Sequence, residues 1–196
     1  AITIMQFKLE GQLIKEHPEF EMEKRLLLDK INIEKGTVCV EETEYPLKDV
    51  SFPTIDWEDP YRLSEDEADV MERLVTAFVN CEKLQRHVRF LYTQGSLYKV
   101  YNGNLLYHGC VPLNEDGTFT RVNVFGKEYA GKELYDVLEG YARKGYYAID
   151  PKEKKKGQDI LWFIWENQNS PVFGKAKMTT FERYFIADKK THQEPK

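Results

Sequence analysis

Near the start of the chain apolar residues recur at helical spacing: Ile4, Phe7, Gly11 and Ile14 share one stripe, and Pro18 disfavours helical geometry in the residue before it. The pattern predicts a helix that stops near Pro18, with Gly11 allowing close packing on its stripe. Leu26, Leu27, Leu28 and Ile31 suggest a second helical stretch. From Ile31 to Glu41 the chain alternates around Glu34-Lys35-Gly36, which predicts a hairpin with Val38 and Val40 on one face. Pro46, Pro53 and Pro60 break up the acidic connection that follows.

A long amphipathic run extends from Ser64 to about Tyr92. Ser64 suits an N-cap, Glu67 completes a capping box, and Gly95 stands just past the end. Met71, Leu74, Phe78, Cys81, Leu84, Val88 and Leu91 recur at three- and four-residue steps, predicting one continuous helix with a buried stripe on which Cys81 is structural. Two alternating runs, Ser96–Tyr101 and Asn104–His108, flank Asn102-Gly103, a pair that favours a type I′ hairpin turn. A third strand is expected at Thr120–Val124 after Asp116-Gly117, and a further helix at Lys132–Tyr147. Lys152–Lys156 reads as a solvated basic turn, and Asp159–Trp165 as a short aromatic-rich apolar segment. The elements predict a mixed α/β (α+β) fold in which helices cover a hairpin-containing sheet. Residues 1–62 form a helical segment, hairpin and acidic connection; 63–187 carry the long helix, central hairpin, later helices and a basic loop; 188–196 are a polar tail.

Composition narrows the function classes. Apolar residues make up 41% and charged residues 31%, which suits a packed globular core rather than a disordered chain. A net charge of -5 argues against nucleic-acid binding by bulk electrostatics but leaves small anions as partners. No apolar run approaches the roughly 20 residues that cross a bilayer. Cys39, Cys81 and Cys110 are widely spaced, with no Cys-x-x-Cys pair, and fit a reducing cytoplasmic setting. The chain lacks an initiator Met and opens inside a periodic segment, so an internal piece of a longer protein is expected.

Two segments carry candidate chemistry. Asn104-Leu105-Leu106-Tyr107-His108-Gly109-Cys110-Val111-Pro112 puts His108 at the end of an apolar strand, before a glycine that lets backbone, metal or phosphate approach closely. Read from the residues alone, His108 is a metal ligand or a structural histidine. Phe173-Gly174-Lys175-Ala176-Lys177-Met178-Thr179-Thr180-Phe181-Glu182-Arg183 gathers a glycine, hydroxyls and cations. Lys175, Lys177, Thr179 and Arg183 are candidate ligands for a substrate or effector phosphate; the alternative is an exposed loop whose Arg183 pairs with a carboxylate. His87 lies off the apolar stripe, a surface or interface position, while His17 and His192 sit in polar or terminal contexts without a role. Trp162, Trp165, Tyr146 and Tyr147 are expected in the core or at the edge of a subunit contact.

Leu105–Pro112 is similar to the strand-His-Gly-Gly motif of calcineurin-like metallophosphatases. Together with Glu67–Tyr92, Tyr98–Cys110 and Phe173–Tyr184, it resembles the class III, Mn-dependent fructose-1,6-bisphosphatases of Firmicutes. The likeness covers most of the chain. It implies that part of the sheet belongs to a metallophosphatase-like β-sandwich, the rest being an inserted helical and hairpin region. It further implies hydrolysis of the 1-phosphate of fructose 1,6-bisphosphate in gluconeogenesis, Mn2+ as cofactor, and His108 as one ligand of a two-metal centre. The other ligand patterns of that superfamily, Asp-x-His, Gly-Asp-x-x-Asp-Arg, Gly-Asn-His-Asp/Glu and Gly-His-x-His, are absent from these residues. The chain alone is therefore expected to be inactive. A different reading is a non-catalytic regulatory or assembly domain that binds an anionic effector or another subunit, a second copy in a homo-oligomer included.

Overall fold

The computed structural model describes residues 2–177 and 179–192. The chain falls into two compact units, Ala1–Cys81 with Lys177–Lys196, and Glu82–Ala176.

The first unit opens with α1, Ile2–Glu16, which ends just before Pro18 as its pattern requires. The leucine-rich stretch after it is not a helix. Glu23–Arg25 and Leu28–Lys30 are single 3-10 turns, and Leu27 and Leu28 point into the core from them. Strands β1, Ile31–Asn32, β2, Thr37–Val40, and β3, Thr43–Pro46, form an antiparallel sheet in the order β1-β2-β3. Val38 and Val40 are both buried on one face, as alternation predicts. The proline-rich connection contributes Phe52, Ile55 and Tyr61 to the same core. The C-terminal part returns to this core through α6, Thr180–Phe185: Phe181 and Ile186 are buried in it, and Leu47 bridges Ile186.

The run expected to be one helix from Ser64 to Tyr92 is two. Helix α2, Glu65–Val79, starts at the predicted capping box, and α3 covers Glu82–Gln94. Asn80 ends α2; its short amide side chain competes with the helical backbone, which favours a break over continuation. The expected buried stripe is not buried either. Met71 and Leu74 are half-buried, while Phe78, Cys81 and Leu91 are exposed. Hydrophobic periodicity marks which face needs cover, and no described element supplies it.

In the second unit, β4, Tyr98–Tyr101, pairs with β5, Asn104–Tyr107, in the register Tyr98↔Tyr107, Lys99↔Leu106, Val100↔Leu105 and Tyr101↔Asn104. Asn102 and Gly103 have φ of 48° and 74°, the left-handed pair that a type I′ turn needs. Strand β6, Val122–Val124, matches expectation, but its partner β7, Lys127–Tyr129, across the Phe125-Gly126 turn was not anticipated. Helix α4, Gly131–Tyr147, is where the pattern put it. The basic run and the apolar segment after it prove to be one helix, α5, Pro151–Glu166, capped by Asp150, whose carboxylate accepts the Glu153 amide at 2.9 Å. The lysines of its first turns face outward while Ile160 and Phe163 are buried. Helices α4 and α5 pack where Gly145 meets Gly157: a Cβ on Gly157 would lie 2.1 Å from the Gly145 nitrogen. The described residues thus give a mixed α/β fold with three small antiparallel sheets.

Candidate functional site

His108 directly follows β5, exposed, with no hydrogen-bond or ion-pair partner among the described residues. Its surroundings are fixed by the segment at the end of α5. The Cys110 amide donates to the Pro171 carbonyl at 3.0 Å, and the Tyr135 hydroxyl of α4 donates to the Cys110 carbonyl at 2.7 Å. A Cβ on Gly109 would meet the Pro171 and Val172 carbonyl oxygens at 2.5 and 2.6 Å, so glycine is required there by this backbone approach. A close approach beside His108 is what the glycine after it predicts, but the atoms that crowd Gly109 come from residues some sixty positions on. Cys110 Sγ lies 3.5 Å from the Ser170 carbonyl oxygen and against Gly174, where an added Cβ would sit 2.3 Å from the sulfur. Burial pushes the Cys110 thiol above its ordinary pKa. Burial, reinforced by Cys110 and Tyr107, pushes the Tyr135 phenol up to about 12, so it stays a donor at neutral pH.

The turn that holds Gly109 and Cys110 is organised by Ser170, fully buried at 0% exposure. Its hydroxyl donates to the Ile164 carbonyl in α5 and accepts the amides of Val172 and Phe173 at 3.1 and 3.2 Å. Neither Ser170 nor Tyr135 stood out in the sequence. The cluster Asn167-Gln168-Asn169-Ser170-Pro171 is a turn signal that could have flagged the first, whereas nothing local marks a tyrosine in a helical stripe as a donor to a distant carbonyl.

Beside His108, one face of the hairpin (Tyr98, Val100, Leu105 and Tyr107) joins Val111 and Phe119 in lining a groove of about 280 Å³. Lys132 is its one cation. An apolar wall with a single ammonium, itself paired to Asp136, is poorly matched to a bisphosphate.

The candidate phosphate ligands divide between the two units. Lys175 belongs to the second, exposed, with its ammonium over the Phe173 ring. Lys177, Thr179 and Arg183 belong to the first. Lys177 sits 3.5 Å from the Glu41 carboxylate, and the Arg183 carbonyl accepts the Lys48 ammonium at 2.9 Å. Thr179 is buried at a φ of 53°, and its hydroxyl has no hydrogen-bond partner among the described residues. Met178 lies outside the described residues.

The other histidines fall as follows. His87 is exposed on α3. His17 is more enclosed than its polar neighbours suggested, stacked on Phe20 at 4.8 Å and 3.0 Å from the Glu19 carboxylate. His192 Nε2 lies 3.1 Å from the Ile186 carbonyl. Tyr146 is half-buried against Tyr92, while Tyr147 and Trp165 are exposed.

Could this set hold a metal? An accessible imidazole at a strand end, free of competing partners and beside a glycine, suits one coordination position. Among the described residues no group of three or more ligating side chains includes His108, so further donors would have to come from outside them.

Comparison with known proteins agrees with this incompleteness. The family model of the Firmicute fructose-1,6-bisphosphatases matches residues 1–196. Curated relatives named fructose-1,6-bisphosphatase class 3 include those of Clostridium botulinum strains Langeland and Okra, each 56% identical over 100% of this chain. The one from Clostridium tetani is 55% identical over the same span. In each case the chain spans 30% of the relative's length. No solved structure matches.

Proposed function

The chain belongs to the Firmicute fructose-1,6-bisphosphatase family, and from that premise we propose that it is the part of a longer fructose-1,6-bisphosphate 1-phosphatase that contributes His108 to a divalent-metal centre, with Mn2+ as the expected ion. The observation that carries the reading is the geometry of His108. Its ring stands exposed at a strand terminus between two anchored neighbours, Tyr107 in the β4–β5 ladder and Cys110 on Pro171 and Tyr135. A metal pair, when bound, supplies Lewis-acid stabilisation of the phosphoryl oxygens and acidifies the attacking water. The chain's own share is to hold one imidazole in a fixed direction and to keep bulk away beside it, which Gly109 does.

The β4–β5 hairpin is read as the edge of a metallophosphatase-like β-sandwich. Its exposed apolar residues, and its lack of any further paired strand among the described residues, support that reading, because a lone two-stranded hairpin is marginal in water. Lys177, Thr179 and Arg183 in the first unit, and Lys175 separately in the second, remain proposed contacts for a phosphate of the substrate or of an anionic effector. The uncovered apolar faces of α2 and α3 favour a concurrent assembly role, in which another part of the protein or another subunit packs on them.

The test is phosphate release from fructose 1,6-bisphosphate by the longer polypeptide and by residues 1–196 alone, each with and without Mn2+. Metal-dependent formation of fructose 6-phosphate by the longer protein, and none by the 196-residue chain, is the expected result. Turnover by the short chain would overturn the split site.

A further inference from the structure

The residues that hold His108 form a relay from the body of the second unit to the ring. Helix α5 ends at Glu166, and the Ser170 hydroxyl ties the turn beyond it back to the Ile164 carbonyl while gathering the Val172 and Phe173 amides. The Pro171 carbonyl, thus placed, takes the Cys110 amide; the Cys110 carbonyl is taken in turn by Tyr135 from α4. On the other flank, Tyr107 is fixed by its pairing with Tyr98, whose ring meets Tyr135 edge-on at 5.5 Å. His108 and Gly109 are the only residues between these anchors, and Gly109 has no room to shift toward the 171–172 backbone.

We infer that Ser170 and Tyr135 are positioning residues for His108, fixing the direction of its ring through the backbone of residues 109–110 without touching any ligand. The inference rests on the reading of His108 as a metal ligand. Both hydroxyls satisfy main-chain groups rather than side chains, so their removal frees the strand end without creating a new chemical group near the ring. Outer-shell partners of metal-binding histidines typically account for about 10–100-fold in metal affinity.

The experiment measures Mn2+ binding to the longer polypeptide by the electron paramagnetic resonance signal of free Mn2+, well below each variant's melting temperature. Wild type is compared with His108→Ala, Ser170→Ala and Tyr135→Phe, and KM for fructose 1,6-bisphosphate is measured at saturating Mn2+. The expected result is weaker Mn2+ binding by roughly ten- to a hundredfold in both hydroxyl variants, with KM within about twofold of wild type. A purely structural role would lower melting temperature and leave the affinity of the folded protein in place. If His108→Ala weakens binding while a hydroxyl variant stays within about twofold of wild type, that residue has no positioning role. If His108→Ala itself binds Mn2+ as wild type does, the ligand reading fails and the inference with it. Should Ser170→Ala not fold, Tyr135→Phe decides by the same criterion.

Discussion

Lys8 has no exposed surface, and its ammonium donates to Glu67 at 2.7 Å and to the Thr54 carbonyl. Glu67 also accepts the Ser64 amide at 2.9 Å, so one carboxylate both caps α2 and neutralises a cation from α1. Burial raises its pKa, but Lys8 and the Ser64 amide outweigh that and hold it below the ordinary glutamate value of 4.5. A depressed carboxylate gives stability that is fully present above the unfolded value and lost as pH falls through the folded one. Denaturant titrations between pH 7 and pH 3 should therefore show a loss below about pH 4.5 that Glu67→Gln reduces, the remainder coming from other depressed carboxylates such as Glu139. Lys8→Ala strands the buried carboxylate and should cost about 3–5 kcal/mol at neutral pH, read from the same titrations. At this scale the sequence was legible where partners are near. The Ser64–Glu67 box lies within one turn and was readable, whereas the Lys8–Glu67 pair spans 59 positions and has no local signature. The same contrast holds at the site: His108 was visible at its strand end, and Ser170, which holds its neighbour from 60 positions away, was not.

Element by element, the chain contains one turn type written in two qualities. Asn102-Gly103 and Glu41-Glu42 each close a two-residue antiparallel hairpin with both φ values positive, at 48° and 74° and at 49° and 68°. Asn-Gly adopts that geometry readily, while a glutamate in left-handed backbone costs about 1–2 kcal/mol. Replacing Glu41-Glu42 by Asn-Gly is expected to stabilise the first unit by about 1–2 kcal/mol in urea unfolding, less a small loss from the exposed Lys177 pair. The strength of the sequence signal explains which hairpin was fully foreseen: the favoured turn announced β4–β5, and the strained one hid β3. Helix α5 was missed for a related reason. Its charged first turns and apolar last turns look like two segments, although Asp150-Pro151 is a proper start signal. At the α4–α5 crossing no side chain fits, so Gly157→Ala should destabilise by at least about 2 kcal/mol by calorimetry, whereas Gly140→Ala, inside α4 where a Cβ meets nothing, should stabilise by about 0.5–1 kcal/mol.

For the molecule as a whole, the largest difference between pattern and structure is the cover over its apolar faces. Phe78 and Val79 on α2 are 61% and 60% exposed, Phe90 and Leu91 on α3 65% and 63%, and Val100 and Leu105 on the hairpin 63% and 54%. The helical stripe puts Phe78 and Leu91 among the positions expected to be buried, and the chain spans 30% of the length of its relatives. Periodicity records the burial selected in the complete protein, so it cannot tell which part of that protein supplies the cover. Residues 1–196 in isolation should accordingly bind an apolar dye such as anilinonaphthalene sulfonate while folded, and self-associate as concentration rises in sedimentation runs. The longer polypeptide should do neither to the same degree. The central claim, that His108 is one ligand of a metal-dependent phosphatase centre, is tested most directly by Mn2+-dependent phosphate release from fructose 1,6-bisphosphate, wild-type longer polypeptide against His108→Ala of equal melting temperature. Loss of about a hundredfold or more in rate, with weakened Mn2+ dependence, is the predicted result; a rate within about twofold of wild type would contradict it.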